Sequence, residues 1–186
     1  MLSGMSEVSD RYAVIGDGFT QRIGAVPQSL WGAPSPCTDW TAREIAVHVI
    51  NTNTRVLASL DGSDPAPVTG EDDLVVAWQR ATNAVRDALE DPGRAGVTVG
   101  GMFGEQPFES LVGRLLCADT LIHTWDLARA TGQDESLDQH AVAKAIEFLL
   151  PIDDAIRRPG GFGPKIDPAP DADVQTRLLS FAGRRV

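Results

Sequence analysis

The chain has 186 residues, 42% of them hydrophobic and 23% charged, with a formal net charge of -10. That length supports one domain burying on the order of 70% of its unfolded surface, so a single core needs no staples. The acidic balance repels a nucleic-acid backbone or an anionic membrane surface, and no apolar run approaches a membrane span. A small molecule or another protein chain remains as partner.

Two cysteines, Cys37 and Cys117, match no metal-ligand or redox spacing and read as reduced thiols. The acidic N-terminus lacks an apolar signal core, so the expected location is cytoplasmic. From Ser9 to Val26, Tyr12, Ile15, Phe19 and Ile23 recur at helical spacing and predict the first helix, despite Gly16 and Gly18. Pro27 to Trp40, with Pro34 and Pro36, reads as a structured loop. Thr41-Ala-Arg-Glu44 then has the form of a capping box, opening a second helix that reaches Leu60 with Ile45, Val49, Val56 and Leu60 as its apolar stripe. His48 stands at the edge of that stripe.

Glu71 to Glu90 predicts a third helix, stopped by Asp91-Pro92-Gly93. Gly96 to Gln106 reads as an extended lid or a short hairpin. A fourth helix opens at Pro107 or Phe108 and closes at Gly132, a residue suited to the left-handed position. Ser136-Leu-Asp-Gln139 reads as another capping box, starting a fifth helix that runs to Leu150 and continues past Pro151 to Ile156. A Gly/Pro-rich loop then leads to a short last helix from Ala172 to Ala182. The pattern predicts an all-α protein, a four-helix bundle with additional short helices, and one domain over residues 1–186.

The fourth helix carries the chemistry. Its apolar stripe, centred on Leu111, Leu115 and Ile122, also carries Asp119, His123 and Asp126, and ionisable groups facing a core need partners. Asp119 and His123 are one turn apart on one face, the spacing by which a helix presents two ligands to one ion; a hydrogen-bonded structural pair is the competing reading. Of the three histidines, His140 lies among polar residues and reads as solvated, so His48 is the candidate third ligand. Asp126 has three open roles: ligand in place of Asp119, acceptor for a histidine N–H, or partner of a buried arginine, the structural or acceptor role being favoured. Arg55 reads either as a clamp for a substrate carboxylate or as a surface ion pair with an acid such as Glu44. Cys37 reads as a small hydrophobe, and the four tryptophans as packing residues whose N–H groups need acceptors. No phosphate loop, dinucleotide fingerprint or nucleophile elbow is present, and no residue declares itself a general base.

The segment Pro36-Cys-Thr-Asp-Trp-Thr-Ala-Arg-Glu-Ile-Ala-Val-His48, together with Asp119-Thr-Leu-Ile-His123-Thr-Trp-Asp-Leu-Ala-Arg-Ala-Thr-Gly132, resembles the metal-binding domain of the mycothiol-dependent maleylpyruvate isomerase family within the DinB-like superfamily. The tail, from Phe162-Gly-Pro to Gly183-Arg184, resembles the end of an actinobacterial subfamily. The resemblance implies a divalent metal, zinc foremost with nickel or iron as alternatives, held by His48, Asp119 and His123, with Asp119 where the isomerase pattern has glutamate. It also implies mycothiol as cosubstrate and transfer to, or isomerisation of, an unidentified small electrophile. A homodimer suits a bundle of this size. The rival readings are a non-catalytic metal- or ligand-binding bundle and a two-histidine, one-carboxylate iron oxygenase.

Overall fold

The computed structural model describes residues 6–38, 40–101, 103–157 and 162–186. Asp39 of the resemblance motif and Gly160 and Gly161 of the predicted Gly/Pro loop lie outside these residues.

Helix α1 spans Glu7–Gly24, with the Ser6 side chain accepting from the Ser9 amide, and buries Tyr12, Ile15, Phe19 and Ile23 as their spacing predicts. Helix α2, Ala42–Ala58, opens with the predicted capping box: Thr41 accepts from the Glu44 amide and Glu44 reaches back to the Thr41 amide. Helix α3, Leu74–Glu90, starts later than predicted. Asp73 is its cap, because Asp72 is already engaged upstream by the Thr69 amide and hydroxyl. A one-turn helix α4, Pro92–Ala95, leads to the antiparallel pair β1 (Thr98–Val99) and β2 (Gln106–Pro107), the hairpin form of the predicted lid-or-hairpin segment. Phe103, between the strands, meets Phe148 edge-on at 5.3 Å, and Val99 is buried in the core.

The predicted fourth helix is continuous but not uniform. A short helix α5, Phe108–Leu111, passes through a π-helical turn, Val112–Leu116, into α6, Cys117–Thr131, which ends at Gly132 with φ of 68°. In the π turn the Cys117 amide bonds back to the Val112 carbonyl, five residues away, so one residue is inserted into the helical period. This explains why Leu116 is fully buried and Leu115 only partly, where uniform spacing favours Leu115. Gly113 lies where α1 approaches closely, since a Cβ there would meet Arg11 Nη2 at 3.0 Å and Val8 Cγ2 at 3.1 Å.

Helix α7, Gln139–Leu149, is capped by Asp138 and not by Ser136. The Ser136 carbonyl is bound by Arg22 and its amide by Asp134, which holds it in the preceding turn. Past α7 the chain turns through a 3₁₀ segment, Leu150–Ile152, into α8, Asp153–Ile156, because Pro151 cannot donate to the α-helical ladder. Helix α9, Val174–Phe181, packs on α7.

Four helices form the bundle, each packed on two neighbours in the cyclic order α1, α3, α2, α6, while α7 packs outside α6. From Leu116 to Ala128 every residue of the α6 stretch except Asp119 is buried, so this helix is covered all round instead of along one stripe. One polar chain crosses the interior: the Tyr12 hydroxyl donates to Asn53 Oδ1 at 2.6 Å, and Asn53 Nδ2 donates to the Val49 carbonyl at 2.9 Å and Thr120 Oγ1 at 3.4 Å. It ties α1, α2 and α6 together in one axial register, since the bonds to Tyr12 and to Thr120 are lost if a helix slides by a residue. That register sets His48 opposite Asp119.

Candidate metal centre

The loop before α2 closes on itself. Ser35 N donates to the Trp40 carbonyl at 2.9 Å, Trp40 N donates to the Cys37 carbonyl at 3.0 Å, and Ala42 N donates to the Ala33 carbonyl at 2.9 Å. This closure, followed at once by the capping box, fixes Trp40 over the start of α2. Its ring centroid lies 4.7 Å from that of His48 and 5.8 Å from that of His123.

Under Trp40, the structure brings together the three residues that sequence spacing and resemblance single out. His48, Asp119 and His123 each offer one ligand atom, and these atoms lie within 4.8 Å of one another. His48 Nε2 is 3.0 Å from Asp119 Oδ1, and His123 Nε2 is 3.7 Å from the same oxygen. Zinc–nitrogen and zinc–oxygen bonds of about 2.0–2.2 Å put neighbouring tetrahedral ligands roughly 3.3–3.5 Å apart, so the two separations from Asp119 Oδ1 bracket that spacing. Asp119 Oδ2 is buried and has no hydrogen-bond partner among the described residues. An orphaned carboxylate oxygen is expensive unless a cation meets it. The donor set, two imidazoles and one carboxylate, is one that divalent transition metals accept.

Behind His123 the arrangement is closed. Asp126 is fully buried and its Oδ2 lies 2.8 Å from His123 Nδ1. An ionised carboxylate only accepts, so Nδ1 carries the proton, and in the neutral ring Nε2 presents its lone pair towards Asp119. Arg184 then grips Asp126 with two bonds, Nε to Oδ1 at 3.0 Å and Nη2 to Oδ2 at 2.7 Å. Both open alternatives in which Asp126 accepts from a histidine and pairs with a buried arginine are therefore realised at once.

Burial raises the pKa of the Asp119 carboxyl, but the neighbouring His123 ring, the His48 hydrogen bond and Arg184 together hold it below the usual carboxylate range. For Asp126 burial acts in the same sense and is outweighed by the bonds from His123 and Arg184. Both acids are anions under ordinary conditions.

Trp40 and Arg184 are site residues that spacing alone did not find. The signal for Trp40 is its place immediately before a capping box that presents a candidate ligand; Arg184 sits far from the motif in sequence, with only the tail resemblance pointing to it. Cys37 is half-buried against the part of the core built around Phe19, Trp31 and Trp78, close enough that Arg184, Asp126 and Asp119 act on its thiol, although burial is the largest influence and pushes its pKa up. A thiol kept protonated is not an activated nucleophile. His140 is exposed, 3.4 Å from Glu7, as its polar surroundings predict. Arg55 is exposed on α2 and bonds Thr52 Oγ1 at 3.3 Å; among the described residues it forms no ion pair, and Glu44 is occupied by the cap.

A DinB-like helical bundle with a two-histidine, one-carboxylate cluster between α2 and α6 is the class these features define. The family model described as the mycothiol maleylpyruvate isomerase N-terminal domain matches residues 13–128, a span that contains all three cluster residues, and the chain belongs to that family. Two relatives named uncharacterized proteins, from two strains of Mycobacterium tuberculosis, are each 31% identical over 172 residues, covering 91% of this chain and 93% of theirs. No solved structure matches the chain. Among the described residues no helix is long and apolar enough to cross a membrane.

Proposed function

We propose that His48, Asp119 and His123 hold a divalent metal, zinc foremost, and that the protein is a metal-dependent, thiol-using transferase or isomerase acting on a small electrophile with mycothiol as cosubstrate. The observation that carries this reading is the buried, partnerless Oδ2 of Asp119 beside two imidazole nitrogens, in a chain of a mycothiol-associated family. Bound there, the metal would supply Lewis acidity that lowers the pKa of a coordinated thiol and makes a nucleophile available at neutral pH. Asp126 holds His123 with its Nε2 turned inward. Trp40 shields one side of the two imidazoles from water, and His48, with its side chain 28% exposed, marks the side from which a substrate enters. Arg55, about two turns along α2 from His48, would meet a carboxylate of the cosubstrate or substrate. This chemistry suits a reducing cytoplasm.

The test is metal analysis of the purified protein beside His48→Ala and His123→Ala. Roughly one zinc per chain in the wild type and none in either variant is expected; metal retained by both variants removes the site. Turnover is then assayed with mycothiol and chlorodinitrobenzene or maleylpyruvate. Bound metal without turnover of either favours the non-catalytic bundle, and oxidation-sensitive iron favours the oxygenase reading.

A further inference from the structure

The tail after α9 does more than end a helix. Gly183 stands at φ of 81°, its amide bonding the Ser180 carbonyl at 3.0 Å, and the Arg184 amide bonds the Leu179 carbonyl at 2.8 Å. These two bonds form a Schellman closure, and the residue after its glycine is turned back against the body of the protein. A Cβ at Gly183 would meet the Pro164 carbonyl oxygen at 2.8 Å, so only glycine permits the approach. Thus directed, Arg184 is buried to 7% exposure, and Nε, Nη1 and Nη2 all find acceptors: two bonds go to Asp126 and one to the Ala182 carbonyl at 2.7 Å.

An arginine so enclosed could serve only to dock the tail. The geometry says more, because the carboxylate it grips has one other side-chain partner among the described residues, His123 Nδ1, and the same oxygen, Oδ2, receives both the Arg184 Nη2 and the His123 Nδ1 bonds. With both oxygens fixed by the guanidinium fork, the carboxylate cannot rotate, and the imidazole bonded to it cannot either. We propose that Arg184 is a positioning residue for the metal centre, a brace at the end of the chain that acts through Asp126 to hold the His123 ring in its Nδ1-protonated form with Nε2 facing His48 and Asp119. This rests on the metal-binding reading above for its consequence, but not for its geometry. The partner on the far side of a metal-binding histidine tunes the metal affinity, and loss of such a partner weakens binding about 10–100-fold. Arg184 stands one bond further out, and it is the only cation hydrogen-bonded to Asp126 among the described residues.

The experiment compares the full-length wild type with Arg184→Gln, Arg184→Lys and Gly183→Ala, and with Phe181→Leu as a control that loosens the same tail while leaving Arg184 in place. Two quantities are read on folded protein: zinc affinity by competition with a chromogenic chelator, and the His123 ring protonation by long-range proton–nitrogen NMR of the metal-free protein. Zinc affinity should fall about 10–100-fold in Arg184→Gln. Arg184→Lys should recover part of it, since an ammonium keeps the charge but not the fork. Gly183→Ala should resemble Arg184→Gln although every charge is present, and the wild-type Nδ1–H signal should be lost or mixed in both. Phe181→Leu should lower thermal stability and leave both readings unchanged. Zinc affinity in Arg184→Gln within about twofold of wild type, with an unchanged His123 signal, overturns the proposal. So does a loss in Phe181→Leu equal to that in Arg184→Gln, which would mean that any loosening suffices. If Arg184→Gln does not fold, Arg184→Lys and Gly183→Ala decide alone. If the wild type itself takes no zinc, the metal reading fails, and the NMR comparison still decides whether Arg184 orients His123.

Discussion

The two carboxylates of α6 face opposite fates. Asp126, fully buried, has both oxygens engaged, by Arg184 and His123. Asp119, two turns earlier on the same helix, is 18% exposed at its side chain, meets two imidazoles through one oxygen and leaves the other without a partner among the described residues. On the metal-binding reading proposed above, the contrast separates a part of the site completed by folding from a part that the ion would complete. A residue whose bonds are all internal contributes stability; on the same reading, the unsatisfied oxygen of Asp119 would contribute to binding instead.

The largest effect that would test this contrast is on binding. His123→Ala, which removes the residue shared by both halves, should abolish zinc retention through gel filtration, and retention would break the comparison at its hinge. Next, Asp126→Asn should destabilise by about 3–5 kcal/mol in urea titrations, because it strands the buried Arg184 charge. The sign of its pH dependence follows from the lowered pKa. In the wild type the Asp126 contribution is fully present above the ordinary aspartate value of about 3.9 and is lost as pH falls through the lower folded value, so the variant should show a flatter acid limb.

Tyr12→Phe leaves Asn53 Oδ1 without its donor and should remove roughly 1–3 kcal/mol, with a smaller loss of zinc affinity as the α2–α6 register loosens. The smallest stability effect belongs to Asp119→Asn. Metal-free stability should stay within about 1 kcal/mol of wild type, since a partly exposed anion in no complete network is lost, while zinc binding disappears. A large stability loss there would mean that the front of the site is as structural as the back. On the alkaline side, the buried Cys117 thiol, raised from 9.0 to about 11, adds stability that is present below pH 9 and declines towards pH 11. Cys117→Ala should remove that decline, as followed by circular dichroism across the pH range.

How much of this was legible in the sequence depended on whether a local rule governed the residue. The Thr41–Glu44 capping box is a four-residue pattern with its own hydrogen bonds, and it formed as predicted. The similar pattern at Ser136–Gln139 failed because a distant residue, Arg22, holds the Ser136 carbonyl, and Asp138 took the cap. Asp119 and His123 were legible together because helical spacing alone puts them on one face. Their meeting with His48 depended on the order of helices around the bundle, which periodicity does not encode and the resemblance supplied. The bracing of Asp126 by a residue 58 positions away had no local trace. Neither did the lining of the imidazoles by Trp40, since an indole before a helix is most simply a packing group.

The π turn at Val112–Leu116 has one further consequence. It offsets the two halves of one long helix in phase by about 100°, the angle of a single residue, so that Phe108 and Leu111 point into the core beside the hairpin while Asp119 and His123 aim at α2. Deleting one codon within it would rewind the turn and swing both side chains away from His48 without changing any of the cluster residues.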